Sequence, residues 1–161
     1  MNIVLIGMPG SGKTIIGEML AEKLKFEFYD CDAEIEKYSN KIITEIFEED
    51  GEEKFRQIET DVIKELSKKD ESVISLGGGA ILKKENIERI KPNAKIIFIN
   101  RPLENIVNDI EVEKRPLLRN GKERVYELYN SRIELYKKYS DIEIMNDVKI
   151  EEVIQEIQEA I

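Results

Sequence analysis

Apolar residues run along this chain in two rhythms. Ile3-Val4-Leu5-Ile6 is an unbroken apolar run of strand length, and Ser72-Val73-Ile74-Ser75-Leu76 and Ala94-Lys95-Ile96-Ile97-Phe98-Ile99 resemble it. Such runs predict short strands buried on both faces. Phe26-Glu27-Phe28-Tyr29 alternates and is aromatic, which predicts another strand, and Ile142-Glu143-Ile144-Met145 predicts a brief last one. Between these runs the apolar positions recur at helical spacing, from Ile15 to Leu24, from Ala33 to Tyr38, and at Phe55, Ile58, Val62, Ile63 and Leu66 after the Asp50-Gly51 break. The same spacing predicts helices from Arg101 to about Asn108, with Pro102 near the first helical position, from Glu123 to Tyr139, and from Ile150 to Ile161. Five strands alternating with helices predict an α/β fold, a three-layer sandwich around a parallel sheet. Periodicity fails from Glu111 to Gly121, where Pro116 and the pair Asn120-Gly121 fall, so this stretch reads as a mobile loop. There is no internal repeat, linker or low-complexity segment, and 161 residues suit a single domain, 1–161.

Composition narrows the function. With 41% hydrophobic and 37% charged residues, the chain has the make-up of a soluble globular protein. No apolar run approaches the ~20 residues that span a bilayer, and the N-terminus enters a strand without a basic leader, so no membrane is expected. The single cysteine, Cys31, fits a reducing cytoplasm. A net charge of −9 argues against a nucleic-acid binder. Yet Glu111 to Ser140 holds eight Lys/Arg against five Glu, a local excess that suits a small anion. The chain contains no histidine, which excludes serine–histidine and cysteine–histidine catalysis and histidine-ligated metals. Proton transfer is left to a carboxylate, Lys, Tyr, Cys or the substrate.

Gly7-Met8-Pro9-Gly10-Ser11-Gly12-Lys13-Thr14 fits G-x-x-x-x-G-K-[ST] at every fixed position, between a strand and a helix. That context makes it a P-loop: backbone N–H groups form an anion cradle, Lys13 reaches the outer phosphates, and the Thr14 hydroxyl holds magnesium. Asp30 and Asp32 flank Cys31 at the end of the second strand. On an extended segment both carboxylates point one way, and ligands of open α/β sheets bind at the carboxyl ends of strands. The pair therefore suits magnesium and a substrate hydroxyl, with helix capping by Asp32 as the alternative. Arg56 and Glu59 are i,i+3 neighbours. Taken alone they read as a surface pair of little worth, although an inward Glu59 would orient the guanidinium. Gly77-Gly78-Gly79 directly follows a strand and allows positive φ and close approach of a ligand, or else a tight turn. The third strand lacks a terminal aspartate and the fourth ends in Asn100, so Asp30 is the best candidate for the magnesium carboxylate. Arg132 lies among apolar positions, where a charge needs an anionic partner.

In order along the chain, the P-loop, Asp30-Cys31-Asp32, Phe55-Arg56-Gln57-Ile58-Glu59, Gly77-Gly78-Gly79, Arg115-Pro116-Leu117-Leu118 and Arg132-Ile133-Glu134-Leu135-Tyr136 resemble the motifs of the shikimate kinase family from end to end. The resemblance implies a nucleoside-monophosphate-kinase-like P-loop fold with strand order 2-3-1-4-5. It implies a substrate-binding region at about 32–60 and a lid at about 109–122. The implied reaction is ATP-dependent phosphorylation of the shikimate 3-hydroxyl, giving shikimate 3-phosphate and ADP on the way to chorismate and the aromatic amino acids. A cytoplasmic monomer that needs Mg2+ is implied as well. By position, Gly10, Ser11, Gly12, Lys13, Thr14 and Ile15 hold the ATP phosphates, and Thr14 and Asp30 lie on the magnesium side. Asp32, Arg56, Gly77, Gly78, Gly79 and Arg132 bind shikimate, both arginines taking its carboxylate and Asp32 its ring hydroxyls. Phe47 and Phe55 wall the pocket, Glu59 supports Arg56, and Arg115 is the lid arginine that meets the phosphates. Lys13, Asp32 and Arg115 form the implied catalytic set. One departure stands out. Many members carry an arginine over the adenine shortly before the lid's R-P-L-L, whereas Val107 to Glu113 contains none. Two other readings remain open: a P-loop kinase for another small polyol or acid such as gluconate, and a non-catalytic nucleotide-binding module.

Overall fold

A computed structural model describes residues 1–109 and 121–161 of the chain. Five parallel strands, β1 (Asn2–Ile6), β2 (Glu27–Asp30), β3 (Ser72–Ser75), β4 (Ala94–Asn100) and β5 (Ile142–Met145), form one sheet in the order β2-β3-β1-β4-β5. β1 is central, in register with β3 (Val4 opposite Ile74) and with β4 (Val4 opposite Ile96). All five of its residues are buried, as the apolar run from Ile3 to Ile6 requires of a strand covered on both faces.

The two-residue period of the strand divides the core. Val4 and Ile6 point into one layer with Ile74, Ile96 and Phe98. Ile3 and Leu5 point into the other with Val73, Ile97 and Ile99. The second layer is covered by α1 (Lys13–Leu24) and α8 (Ile150–Ala160), which supply Ile16, Leu20, Val153, Ile154 and Ile157. The first is covered by α4 (Gly51–Leu66), which supplies Phe55, Ile58, Val62, Ile63 and Leu66. It is joined there by α5 (Lys84–Ile90) and by α7 (Lys122–Tyr139), which adds Val125, Leu128 and Tyr136. α2 (Cys31–Ser39) and α3 (Ile43–Glu49) pack on α4, and α6 (Leu103–Asp109) lies against α7.

Because the strands are parallel, their carboxyl ends share one edge of the sheet. The P-loop follows β1, Asp30 closes β2, Gly77 follows β3, Arg101 follows β4 and Asn146 follows β5. The expected elements form within a residue or two of the limits read from periodicity. One expectation fails. β2 stops at Asp30 and α2 begins at Cys31, so Asp30 and Asp32 do not lie on one extended segment. Asp30 is the residue before the helix, and Asp32 lies in its first turn. Arg115 and the expected lid, about 109–122 apart from its two ends, lie in 110–120, outside the described residues.

Candidate active site

The phosphate cradle is built by backbone geometry. Gly10 and Gly12 adopt φ of 81° and 97°, in the left-handed region that L side chains avoid. Gly12 also immediately precedes α1, and a Cβ there would come within 2.8 Å of Asn146 Nδ2. α1 has no acidic residue in its first turn, so no side chain of its own neutralises the positive end of its dipole beside the loop. Lys13 is folded back over the loop, donating from Nζ to the Gly7 carbonyl at 2.8 Å and the Met8 carbonyl at 2.9 Å. Ser11 is fully buried and its N–H is spent on the Met8 carbonyl at 3.1 Å.

Two side chains with no place in the sequence motifs hold this loop from outside. Asn146 Nδ2 donates to the Ser11 carbonyl at 2.8 Å, and Arg101 Nη1 donates to the Gly10 carbonyl at 2.8 Å. Arg101 Nη2 is also paired with Asp109 Oδ2 at 2.7 Å. The signal for both was positional: each directly follows a strand on the edge where open α/β sheets bind ligands.

The loop opens into a cavity of about 960 Å3 that Lys13, Thr14, Ile15, Asp30 and Asp32 line together. Burial, the largest cause, raises the Asp30 carboxyl to about 6, the charge of Asp32 adds to it, and Lys13 opposes it. The Asp30 and Asp32 carboxylates, with the Thr14 hydroxyl in the same cavity, form an oxygen-only donor set. Such a set fits Mg2+, which takes one or two protein oxygens and completes its shell with water and phosphate. Between the aspartates, burial pushes the Cys31 thiol up, so it stays protonated and inert.

The far end of the cavity is lined by Phe47, Phe55, Arg56, Glu59, Gly77, Gly78 and Gly79. Phe47 and Phe55 meet at 4.7 Å between ring centroids, and the Arg56 guanidinium lies 5.1 Å from the centre of Phe55. Arg56 and Glu59 are not a surface pair, contrary to the reading of the two residues alone. They are 8% and 1% exposed, and Arg56 Nη1 donates to Glu59 Oε1 at 2.9 Å. The reason is tertiary, since α2 and α3 close over this part of α4. Arg56 Nε and Nη2 and Glu59 Oε2 are buried without a hydrogen-bond partner among the described residues. Burial raises Glu59 to about 7 although Arg56 opposes it.

The glycine triplet also works differently from expectation. None of the three has positive φ; the positive-φ glycines among the described residues are at 7, 10, 12, 51 and 121. Their neighbours instead need the space. A Cβ on Gly79 would overlap the Arg56 guanidinium, one on Gly78 would lie 2.7 Å from Pro9 Cδ, and one on Gly77 would lie 3.0 Å from Asp32 Oδ1. Arg132 does not line the cavity. It is 3% exposed, with Nη1 unpartnered among the described residues, beside Tyr136, whose hydroxyl donates to the Gly78 carbonyl at 2.6 Å. Burial lowers the Arg132 pKa.

A family model described as shikimate kinase matches residues 9–161. The shikimate kinase of Clostridium botulinum (strain Alaska E43 / Type E3) is 47% identical over 160 residues, which is 99% of this chain and 96% of that protein. Among solved structures, shikimate kinase from Acinetobacter baumannii in complex with shikimate superposes with a TM-score of 0.94 at 34% identity, covering 99% of this chain and 91% of that one. A gluconokinase from Sinorhizobium meliloti reaches a TM-score of 0.65 at 16% identity, over 96% and 87% of the two chains, a likeness of fold alone.

Proposed function

The chain belongs to the shikimate kinase family and phosphorylates shikimate, and we propose that it does so by in-line transfer of the ATP γ-phosphoryl group to the 3-hydroxyl. The observation that carries the assignment of roles is the buried Arg56–Glu59 pair, whose Arg56 lines the cavity that Lys13 also lines and has two guanidinium nitrogens without a partner among the described residues. A pocket with an oriented arginine at one end and a P-loop at the other fits a small carboxylate acceptor.

In this proposal Arg56 and Arg132 take the shikimate carboxylate, Asp32 takes ring hydroxyls, and Phe47 and Phe55 wall the ring. Gly77, Gly78 and Gly79 keep side chains out of its way. The loop from Gly10 to Ile15 holds the phosphates, with the N–H groups other than that of Ser11 turned to them, and Lys13 leaves the Gly7 and Met8 carbonyls for the phosphate oxygens. Thr14 and Asp30 would hold Mg2+, which supplies charge neutralisation of the phosphates. The bond from the γ-phosphorus to the ADP oxygen breaks as the bond from the shikimate 3-oxygen forms. Asp32 orients the hydroxyl and accepts its proton late in the transfer. The transition state is loose, so positioning and electrostatics carry the catalysis. The role of Arg115, charge stabilisation on the transferred group, is carried over from the family motif. We also propose a monomer that acts in the cytoplasm, in keeping with the one buried thiol and a net charge of −9.

ADP release from ATP and Mg2+ tests the reading, with shikimate, gluconate, nucleoside monophosphates and no acceptor in parallel. Turnover with shikimate alone is expected. Turnover with gluconate instead would overturn the roles given to Arg56 and Arg132.

A further inference from the structure

The cavity has a third region that the roles above leave unassigned. Beyond the P-loop, away from Arg56 and Phe47, it is lined by Arg101, Asn105, Asp109, Asn146, Asp147 and Val148. If the loop holds the phosphates and the γ-phosphoryl group faces the acceptor, the ribose and base of ATP have this region left to occupy. Ile15 and Val148 line it with 59% and 47% of their surfaces exposed, an apolar area suited to a flat ring.

Arg101 is the cation of this region among the described residues, and its environment decides what it can bind. Its guanidinium is held along its edge by the Gly10 carbonyl at 2.8 Å and by the Asp109 carboxylate at 2.7 Å. Asp109 already pairs with this guanidinium, which makes it less suited to a further phosphate than an unpaired one. Edge-on restraint leaves the planar faces for stacking, and a guanidinium so fixed loses little more freedom when a ring settles on it. We infer that Arg101 contacts the nucleoside of ATP, stacking on the base, with Asp109 and the Gly10 carbonyl holding it in place. The inference rests on the reading of this cavity as the ATP–shikimate site.

The test compares ADP with pyrophosphate, which share the phosphate cradle and differ in the nucleoside. Calorimetric dissociation constants for both would be measured on the wild type, Arg101→Ala and Arg101→Lys, with the shikimate KM and Tm alongside. Arg101→Ala is expected to weaken ADP about tenfold, the scale of a buried cation–π contact. Pyrophosphate should stay within about twofold and the shikimate KM unchanged. Arg101→Lys keeps the charge without the planar face and should bind ADP nearly as poorly as Arg101→Ala. Equal loss of ADP and pyrophosphate would overturn the inference, because Arg101 would then act only through the Gly10 carbonyl. Undiminished ADP binding would overturn it too. If Arg101→Ala does not fold, Arg101→Lys gives the same comparison. Failure of the site reading itself looks different: the wild type would bind no ADP or leave shikimate unphosphorylated.

Discussion

Arg56 Nη1 donates to Glu59 Oε1 at 2.9 Å across three residues of α4, and both side chains are buried beside a cavity. Neither partner can be removed without leaving the other's charge in a poorly solvated place. Arg56→Ala is therefore expected to destabilise the fold by about 3–5 kcal/mol, the usual cost of breaking a buried pair from one side. The double variant Arg56→Ala/Glu59→Ala should recover part of that loss, because no orphaned carboxylate remains. Urea unfolding of the four proteins measures the coupling. A double variant as unstable as the sum of the singles would mean that the pair contributes nothing as a pair.

The same carboxylate gives stability a pH dependence. Burial holds Glu59 at about 7 in the fold, against 4.5 as its ordinary value. With the folded pKa raised, the group's favourable contribution is fully present below about 4.5 and is lost as pH rises through about 7. Glu59→Gln cannot titrate. The Tm of the wild type relative to that of Glu59→Gln should fall steadily between pH 4.5 and 7.5 in the absence of ligands. A constant difference across that range would show that Glu59 is not raised.

Gly79→Ala probes the space the guanidinium occupies. The added methyl overlaps Arg56 directly and has to push it off its present place between Glu59 and Phe55. The expected result is a rise in shikimate KM of about tenfold, the loss of one charge-assisted hydrogen bond at the low end of its range. ADP binding at the P-loop should stay within about twofold of wild type. A KM unchanged by Gly79→Ala would mean that Arg56 does not meet the acceptor.

The sheet was legible because buried parallel strands write themselves as apolar runs: Ile3 to Ile6 is both the most apolar stretch and the central strand. The P-loop was legible because its chemistry fixes residue types at fixed spacing. Arg56 and Glu59 were harder, since an i,i+3 pair has the same spelling on a surface as in a core. What buries them is the packing of α2 and α3 over α4, a contact between segments that no local pattern records. The glycine triplet was visible but its cause was not, because the side chains it accommodates, Pro9, Asp32 and Arg56, come from three other elements. Arg101 and Asn146 are single polar residues after strands, and only the fold turns them toward the P-loop.

Asp32 shares the cavity with Lys13 and lies beside the Gly77 backbone, between the phosphate loop and Glu59. Asp32→Asn keeps the shape and removes the charge. Its kcat should fall by about 100-fold or more, the range of a lost general base, while the ADP dissociation constant changes little. An unchanged kcat would remove Asp32 from the mechanism.

Arg132 is the proposed site residue whose placement demands most of a ligand. It is buried on α7 next to Val125, Leu128 and Tyr136, it does not line the cavity, and Nη1 has no partner among the described residues. A guanidinium in that setting is costly unless an anion reaches it. The phenol of Tyr136, itself raised to about 12 by burial, stays protonated and keeps its bond to the Gly78 carbonyl, which ties α7 beside Arg132 to the glycine triplet that lines the cavity. A shikimate carboxylate shared with Arg56 would be the missing anion. Arg132→Ala should raise the shikimate KM by roughly 10- to 100-fold, the equivalent of a charge-assisted hydrogen bond of about 1.5–3 kcal/mol. It should leave the ADP dissociation constant alone and should not destabilise the ligand-free protein, since a buried charge with one nitrogen unpartnered among the described residues has been removed. Normal shikimate affinity combined with higher stability would mark Arg132 as a buried charge outside the substrate site. Weaker affinity combined with higher stability would show that the chain gives up folding free energy at Arg132 to hold its substrate.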